Sequence, residues 1–375
     1  MAIIDSALKP FEELAHNFAR KELAPNRETN DRYPFGPLFE DVLDKALGVG
    51  FFSLMLPEEL GGVEQADKTR VLSSILDTLS QVDASLAGVL LTHAMALEIL
   101  VQAGCKELIE KTAAETVVTN KAVIACPSFS NPSETGHLPR AQKEADGYVL
   151  TGPVEYVVLG GFSSRAVVPA IIAAQEQYSF FCIDLADSRL TKSGPVLSLG
   201  LRACPAVDLE LRAVPGALVG EEGSGEDYFR RSSACLHVAA AAMASGIMKG
   251  SFDEALSYTR ERSQGGRELI GWSEVKSMLA NMAVNVQVAH MTTAAAAEAV
   301  DNNEPDCSLS AQAAAVHVQK LACDSTTDGI QLLGGYGYMK DYGQEKRFRD
   351  AKQVQCLLGR APLKRLRYLE SLINR

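Results

Sequence analysis

The stretch Asp328-Gly-Ile-Gln-Leu-Leu-Gly-Gly-Tyr-Gly-Tyr-Met-Lys-Asp-Tyr342 is the most informative segment of the sequence, and Arg349-Asp-Ala-Lys352 follows it closely. Its pattern predicts a helix that ends at Gln331 and a turn after it, because the glycines that follow can adopt positive φ. The same glycines would let another group approach the backbone closely. On these residues alone, a helix cap with its turn and a ligand cradle both remain open.

The rest of the chain divides into three regions by residue pattern. Residues 1–120 have a helical pattern, since apolar residues recur at i, i+3, i+4 and i+7 after Pro10. Residues 121–222 consist of short β-branched and aromatic runs separated by Gly, Pro and Ser, which is typical of strands. Residues 223–375 return to long Ala-rich segments that fit four helices. The sequence therefore predicts an N-terminal all-α domain, a middle β domain and a C-terminal four-helix bundle, an α+β fold class.

Composition narrows the possible partners. The chain has 375 residues with 47% hydrophobic and 22% charged side chains, which are proportions of a globular protein, and no apolar stretch approaches the length of a membrane span. Its net charge of −11 argues against nucleic acid as a partner. The eight cysteines form no C-x-x-C pair and the N-terminus lacks a signal-peptide pattern, so we expect free thiols, no metal site and a cytoplasmic location.

Taken together, the segments resemble the acyl-CoA dehydrogenase family over nearly the whole chain. The string at 328–342 carries most of the resemblance. Four further segments agree with it in order: Pro57-Glu-Glu-Leu-Gly-Gly62, Asp83-Ala-Ser-Leu, Leu199-Gly-Leu-Arg202 and Tyr258-Thr-Arg-Glu-Arg262. The resemblance implies an N-terminal α-helical domain, a middle β-barrel-like domain and a C-terminal four-helix bundle. It also implies a tetramer, either a homotetramer or a heterotetramer with a homologous subunit, that binds FAD between subunits.

The resemblance assigns residues to the two ends of FAD. Arg262 matches the arginine that contacts the pyrophosphate, and a guanidinium suits phosphate oxygens because its N–H groups form a bidentate fork. An ion pair with a neighbouring glutamate, Glu261 or Glu268, is the structural alternative for Arg262. Residues Gln331, Gly334 and Gly335 match the segment that approaches the adenylate half from a neighbouring subunit.

The flavin-ring end departs further from the family pattern. Ser128 stands in the segment that usually reads Thr-Glu-Pro-Gly-Ala-Gly-Ser-Asp, and its hydroxyl is expected to donate to the flavin. Tyr156 stands where the family has the Trp of Trp-Ile-Thr, and Val158 replaces the threonine hydroxyl of that motif.

The position of the catalytic base departs most. Family chemistry removes the α-proton of an acyl-CoA with a glutamate while the β-hydrogen leaves as hydride to the flavin. The usual glutamate aligns with Leu358. Some relatives have the glutamate at another position, which aligns with Leu236. Neither leucine side chain can accept a proton. The backbone N–H of Leu358 is still expected to polarise a thioester carbonyl.

Two titratable residues are candidates for a relocated base. His237 follows Leu236, and a histidine side chain ordinarily has a pKa suited to proton transfer near neutrality, although a core histidine bonded to a carbonyl is the structural alternative. Glu98 lies on the predicted pocket helix, where an ordinary solvated glutamate is the structural alternative. The basic tail after Arg360 is interpreted as a solvated helix end that could also contact CoA phosphates.

Three classes of function follow from the resemblance. The first is an FAD-dependent oxidoreductase that acts on an acyl-CoA thioester and passes electrons to an electron-transferring flavoprotein. The second is a family member with other chemistry, either a flavin monooxygenase or a desulfinase-like lyase. The third is a non-catalytic subunit that supports the FAD site of a homologous partner.

Overall fold

The computed structural model describes residues 8–33, 37–116, 123–145, 147–172 and 177–373. The N-terminal region is helical, and its apolar faces share one core with the long helices of the C-terminal region. Its helices are α1 (Lys9–Phe18), α2 (Arg27–Asn30), α3 (Pro37–Gly48), α4 (Lys68–Ser80), α5 (Ala84–Gln102) and α6 (Lys106–Thr116).

The middle region is a sheet that closes on itself. Five strands form a ring, because β4 pairs with β2, β2 with β3, β3 with β7, β7 with β5, and β5 with β4 again. The short β1 pairs with β4 and the short β6 pairs with β7. The strands are β1 (Ile124–Ala125), β2 (Arg140–Glu144), β3 (Gly147–Val158), β4 (Arg165–Ile172), β5 (Tyr178–Asp184), β6 (Leu190–Lys192) and β7 (Ala206–Val219).

The C-terminal region is a helical bundle with three long members and two short ones. Among the described residues, α10 fills the fourth place by packing against α7 and α9, while α11 packs on α9. A two-residue hairpin of β8 and β9 follows the longest helix. The elements are α7 (Gly225–Glu261), β8 (Ser263–Gln264), β9 (Arg267–Glu268), α8 (Ser273–Asp301), α9 (Cys307–Leu333), α10 (Gln344–Val354) and α11 (Ala361–Ile373).

Helix α5 corrects one expectation from composition. Among the described residues, α5 is the one helix that has the length and apolar character of a membrane span. In the fold, 94% of its 18-residue apolar stretch is buried inside the protein, as expected for a helix of a protein core. The run was missed in the sequence because Thr92, His93 and Glu98 interrupt its apolar residues.

A buried charge cluster joins the three regions. The ammonium of Lys346 on α10 donates to Asp83 Oδ1 at 2.8 Å and to Asp350 Oδ2 at 2.6 Å, and all three side chains are buried. Asp83 also caps α5 by accepting from the backbone N–H of Ser85, and Asp350 accepts from the N–H of Leu201 at 2.7 Å. The cluster therefore links the helical N-terminus, the loop before β7 and the bundle.

Ionisation in the cluster follows from this pairing. Burial disfavours the charged form of Asp83, yet the adjacent Lys346 ammonium holds the pKa of that carboxyl below its usual value. Burial also disfavours the charged form of Lys346, but Asp350 and Asp83 raise its pKa above the usual value. We therefore treat Lys346 as charged at neutral pH.

The close approach of the middle region to α10 requires a glycine. A Cβ on Gly200 would lie 2.3 Å from the carbonyl oxygen of Arg349, a distance that no side chain tolerates. The sequence Leu199-Gly-Leu-Arg202 therefore has its glycine where the loop crosses α10, and the next residue donates to Asp350.

Replacing Lys346 should destabilise the protein strongly. Lys346→Met leaves two buried carboxylates without their cation, and breaking a buried ion pair in this way costs about 3–5 kcal/mol. The free energy of unfolding, measured by urea titration, reports the loss. The matched control is Lys320→Met, which removes an exposed pair with Asp324 and should change the same quantity by less than about 1 kcal/mol. Equal losses in both variants would contradict the assignment.

Candidate functional site

The turn at residues 355–360, which follows α10, carries Leu358, the residue that the resemblance aligns with the usual base. Leu358 has φ of +59° and its side chain is 1% exposed. Its backbone N–H donates to the carbonyl oxygen of Ser128 at 2.9 Å. The expectation that this N–H is free for a thioester carbonyl is therefore wrong in this structure, because a contact between two distant segments uses it.

The hydroxyl of Ser128 is also used within the chain. Ser128 Oγ lies 2.7 Å from Thr92 Oγ1, and Thr92 donates its only hydroxyl proton to the carbonyl of Gly88 at 2.8 Å. Ser128 must therefore be the donor to Thr92. This corrects the expectation of a serine proton aimed at a flavin, and Thr92 carries no local sequence signal because it lies 36 residues away.

Tyr156 lies at the end of β3 in a strained conformation. Its φ is +53°, its N–H donates to Asp208 Oδ1 at 2.8 Å, and its ring packs edge-on against Phe129. Its hydroxyl accepts from Gln353 Nε2 of α10 at 3.1 Å. Burial raises the pKa of Tyr156 above its usual value, so the phenol stays protonated at neutral pH.

Backbone strain marks the same region independently of any resemblance. Among the described residues, seven that are not glycine have positive φ, and three of them, Tyr156, Leu201 and Leu358, contact α10 or follow it directly. A positive φ is energetically costly for residues other than glycine, and residues that adopt it cluster at functional sites. The surroundings of the α10 C-terminus are therefore the candidate site.

His237 lies on α7 close to this turn, but it is held in a neutral form. Its Nδ1–H donates to the carbonyl of Ser233, one turn earlier, at 2.7 Å. Burial lowers the pKa of His237 to about 3, and the nearby charge of Lys364 contributes. The assignment of His237 as the base is therefore not supported, and the core histidine bonded to a carbonyl is what the structure shows.

Glu98 is engaged in a buried ion pair. Its Oε2 accepts from Lys68 Nζ of α4 at 2.7 Å, and its Oε1 accepts from Gln102 at 3.1 Å. Both charged side chains are more than 90% buried. Glu98 is therefore neither a free base nor the solvated glutamate of the alternative interpretation.

Burial makes the cysteine thiols near the candidate site unreactive. All eight cysteines are free, as expected. Burial raises the pKa of Cys235 to about 12 and raises those of Cys126 and Cys204 further. No group of three His, Cys, Asp or Glu side chains within the described ranges could hold a metal ion.

Arg262 lies on an exposed patch after the end of α7. Its guanidinium is 5.7 Å from the centroid of the Tyr336 ring, and no carboxylate of the described residues lies within ion-pair distance. The ion pair with Glu261 or Glu268 is therefore absent from the described part of the chain. The exposed patch presents a positive charge beside an aromatic face.

The glycine segment borders this patch. Helix α9 continues to Leu333, two residues beyond the predicted end at Gln331, and Gly334 then has φ of +58°. A Cβ on Gly334 or Gly335 would meet nothing within 4 Å, and Gln331 is exposed. The structure therefore brings Arg262 and the glycine segment to one open surface of the same chain.

The patch and the Leu358 turn lie far apart along the bundle. From His237 to Glu261 the chain is continuous helix, and 24 residues at a rise of about 1.5 Å span about 36 Å. Arg262 follows at the far end. A single chain therefore cannot place both the Arg262 guanidinium and the Leu358 turn against the same part of one small molecule.

Glu134 and two arginines form a contact that the sequence did not predict. Arg360 donates its backbone N–H to Glu134 Oε2 at 2.9 Å and its guanidinium to the Glu134 carbonyl, while Arg367 pairs with Glu134 Oε1 at 2.7 Å. The interpretation of the basic tail as a solvated helix end is thus corrected for Arg367 and also for Lys364, which is 4% exposed. These partners are more than 200 residues apart, so no local signal could have revealed them.

Comparison with known proteins identifies the class. The acyl-CoA dehydrogenase N-terminal domain model matches residues 6–117, and the acyl-CoA dehydrogenase C-terminal domain model matches residues 228–372. The chain belongs to the acyl-CoA dehydrogenase family, whose members are FAD-dependent oxidoreductases. The predicted family is confirmed.

Individual relatives agree over almost their full length. The probable acyl-CoA dehydrogenase FadE25 of Mycobacterium tuberculosis is 28% identical over 369 residues, which cover 95% of this chain and 92% of the relative. The caffeyl-CoA reductase-Etf complex subunit CarC of Acetobacterium woodii is 25% identical over 370 residues, 96% of each chain. The solved structure of butyryl-CoA dehydrogenase from Megasphaera elsdenii has a TM-score of 0.89 at 22% identity and 99% coverage of both chains. The predicted fold class is confirmed.

The residues present fit FAD, the family's cofactor, at one end better than at the other. The exposed Arg262 guanidinium and the open backbone at Gly334 and Gly335 suit a phosphate and its adenylate. At the ring end, the Ser128 hydroxyl and the Leu358 N–H are satisfied within the chain. The Arg262 patch therefore has the chemistry that a pyrophosphate and an adenylate require.

The neutral state of His237 should be visible in the acid stability of the protein. With a folded pKa of about 3 and an unfolded value near 6.5, the unfolded state binds one more proton between these pH values. Stability should therefore fall as the pH is lowered through this window. In His237→Gln, the slope of unfolding free energy against pH should decrease by about 1 kcal/mol per pH unit.

The exposed His137 gives the matched control. His137→Gln should leave the slope unchanged, because this side chain is exposed to solvent in the folded protein. An unchanged slope in His237→Gln as well would show that His237 keeps an ordinary pKa in the folded protein and would reopen its assignment as a base.

Proposed function

We propose that this chain is an FAD-dependent oxidoreductase that acts on an acyl-CoA thioester and has Leu358 at the usual position of the catalytic glutamate. The observation that carries the proposal is the open surface formed by the glycine segment and the adjacent Arg262 guanidinium, which has no carboxylate partner among the described residues. Membership of the family supports the same reading, since both terminal domain models match.

The cofactor site requires more than one subunit in this proposal. Arg262, Gln331, Gly334 and Gly335 would hold the pyrophosphate and adenylate, while Ser128 and Tyr156 belong to the opposite end. Because about 36 Å of helix separates Arg262 from the region of the Leu358 turn, a single FAD would contact the two ends from different chains. A tetramer, built from identical or homologous subunits, satisfies this requirement.

The lack of an available proton acceptor at the three candidate positions for the base favours a second candidate function. FAD, when bound, supplies the hydride acceptor, and a base must still remove the α-proton. Leu358 has no proton acceptor, His237 is a weak base, and Glu98 is committed to Lys68. These contacts support a role as the supporting subunit of a heterotetramer, in which a homologous chain contributes the glutamate.

The proposal also includes the electron acceptor and the location. One relative is named as a subunit of a caffeyl-CoA reductase-Etf complex, which supports an electron-transferring flavoprotein as the partner that reoxidises the cofactor. The free thiols support a cytoplasmic location.

Removing Arg262 should weaken FAD binding. A hydrogen bond to a charged group contributes about 1.5–3 kcal/mol, so Arg262→Ala should raise the dissociation constant of FAD on the order of tenfold to a hundredfold. The ratio of flavin to protein absorbance after gel filtration measures the occupancy. Arg260→Ala is the control, since Arg260 is also exposed and lies on the last turn of α7. An unchanged ratio in Arg262→Ala would contradict the proposed cofactor contact.

Restoring a carboxylate should restore the missing base. Leu358→Glu should allow dehydrogenation of an acyl-CoA, because the new side chain stands at the family's base position, and a positioned base contributes about 10²–10⁴-fold in rate. The measurement is turnover of the isolated, FAD-loaded variant with straight-chain, branched and cyclic acyl-CoAs and an artificial electron acceptor.

Leu358→Gln separates the base from the change in shape. It places a group of the same size at this position without a proton acceptor, and it should stay inactive. Turnover by the isolated wild-type chain would exclude the supporting-subunit candidate. A folded, FAD-loaded Leu358→Glu variant that acts on none of these acyl-CoAs would contradict the assignment of the position.

A further inference from the structure

The carbonyl groups at the end of α10 and just after it accept hydrogen bonds from side chains of two other helices. The last carbonyls of a helix lack partners within it, and here Val354 O accepts from Gln319 Nε2 of α9 at 3.0 Å. The carbonyls of Gln355 and Leu357 accept from the ammonium of Lys364 on α11, at 2.9 and 3.0 Å. The turn that carries Leu358 is thus attached to both α9 and α11.

Lys364 uses its full donor capacity in this contact. An ammonium group has three N–H donors, and the third goes to Gln319 Oε1 at 3.0 Å. Lys364 and Gln319 are both buried, and no carboxylate of the described residues lies within ion-pair distance of Lys364 Nζ. The positive charge is therefore balanced by carbonyl and amide oxygens, which is an uncommon environment for a buried lysine.

Charged and titratable groups surround Lys364 on several elements. Cys356 faces it from the turn, Glu134 from the segment before β2, Arg367 from α11 and His237 from α7. Burial lowers the pKa of Lys364 to about 8, with Cys356 and Glu134 opposing the shift and Arg367 adding to it. In turn, the Lys364 charge lowers the pKa of His237.

We propose that Lys364 is a positioning residue that fixes the turn at residues 355–360, and with it the backbone of Leu358, through two hydrogen bonds to the turn and a third that anchors the ammonium to Gln319 of α9. This role goes beyond the proposed function, and it holds whether the chain acts alone or beside a homologous subunit. It explains why one lysine of a basic helix is buried while its neighbour Arg365 is exposed. It also couples the turn electrostatically to His237 across the bundle.

Hydrogen exchange tests the role without any substrate. In Lys364→Met, the amides of residues 355–360 should exchange at least tenfold faster than in the wild type, as measured by mass spectrometry, because the turn loses the two N–H donors that Lys364 supplies. The amides of α8 should keep their protection. The matched control is Arg365→Met, which removes an exposed charge from the next residue and should leave the turn unchanged.

The titration of His237 gives a second readout that loss of packing alone would not move. By NMR, the pKa of His237 should rise in Lys364→Met, while that of His93, a buried histidine of α5 with a pKa of about 4, should stay constant. Lys364→Gln, which keeps a polar group, should raise the pKa of His237 similarly and loosen the turn less.

The outcomes separate clearly. Unchanged exchange in the turn, or equal acceleration in the turn and α8, would overturn the proposal. If Lys364→Met does not fold, exchange in the wild type from pH 7 to 9.5, corrected for intrinsic rates, supplies the test. The ammonium loses a donor as the pH rises through about 8, so protection in the turn should fall there. Constant protection would likewise overturn the proposal.

Discussion

The structure depends on the buried ammonium of Lys346. A charge without partners in the interior costs several kcal/mol, so the two carboxylates that face it must stay in place. One of them, Asp83, begins the most buried helix of the N-terminal region, and the other, Asp350, receives the N–H of Leu201 from the middle region. Because α10 carries both Lys346 and Asp350, its position is fixed from two sides. The Leu358 turn begins where that helix ends.

Much of the fold could be predicted from the sequence because its signals are local. The glycine string at 328–342 and the loop Leu199-Gly-Leu-Arg202 reflect backbone requirements that few other residues meet. At Gly200, a Cβ would collide with α10, so the residue identity records a long-range contact in a local motif. Ala-rich periodicity likewise predicted the long helices, although α10 and α11 proved shorter than the other three.

The candidate site could not be predicted in the same way. The contacts that decide its chemistry join distant residues, such as Leu358 with Ser128 and Glu98 with Lys68. Nothing in the neighbourhood of Glu98 indicates a partner 30 residues away on another helix. His237 is different, because its partner Ser233 lies one turn earlier on the same helix. A histidine in the middle of a buried, Ala-rich helix can always bond to that carbonyl, so its neutral form was within reach of sequence reasoning.

Helix α7 is a rigid connection of 37 residues, about 55 Å long at the usual rise per residue. It carries His237 in the buried core and ends immediately before the exposed Arg262. Substitutions at one end can therefore change local contacts without disturbing the surface at the other end. In evolutionary terms, a chain with the proposed function can lose a base at one end of this helix and still be retained for a binding surface at the other. Gene duplication followed by loss at opposite ends would then yield two chains that depend on each other.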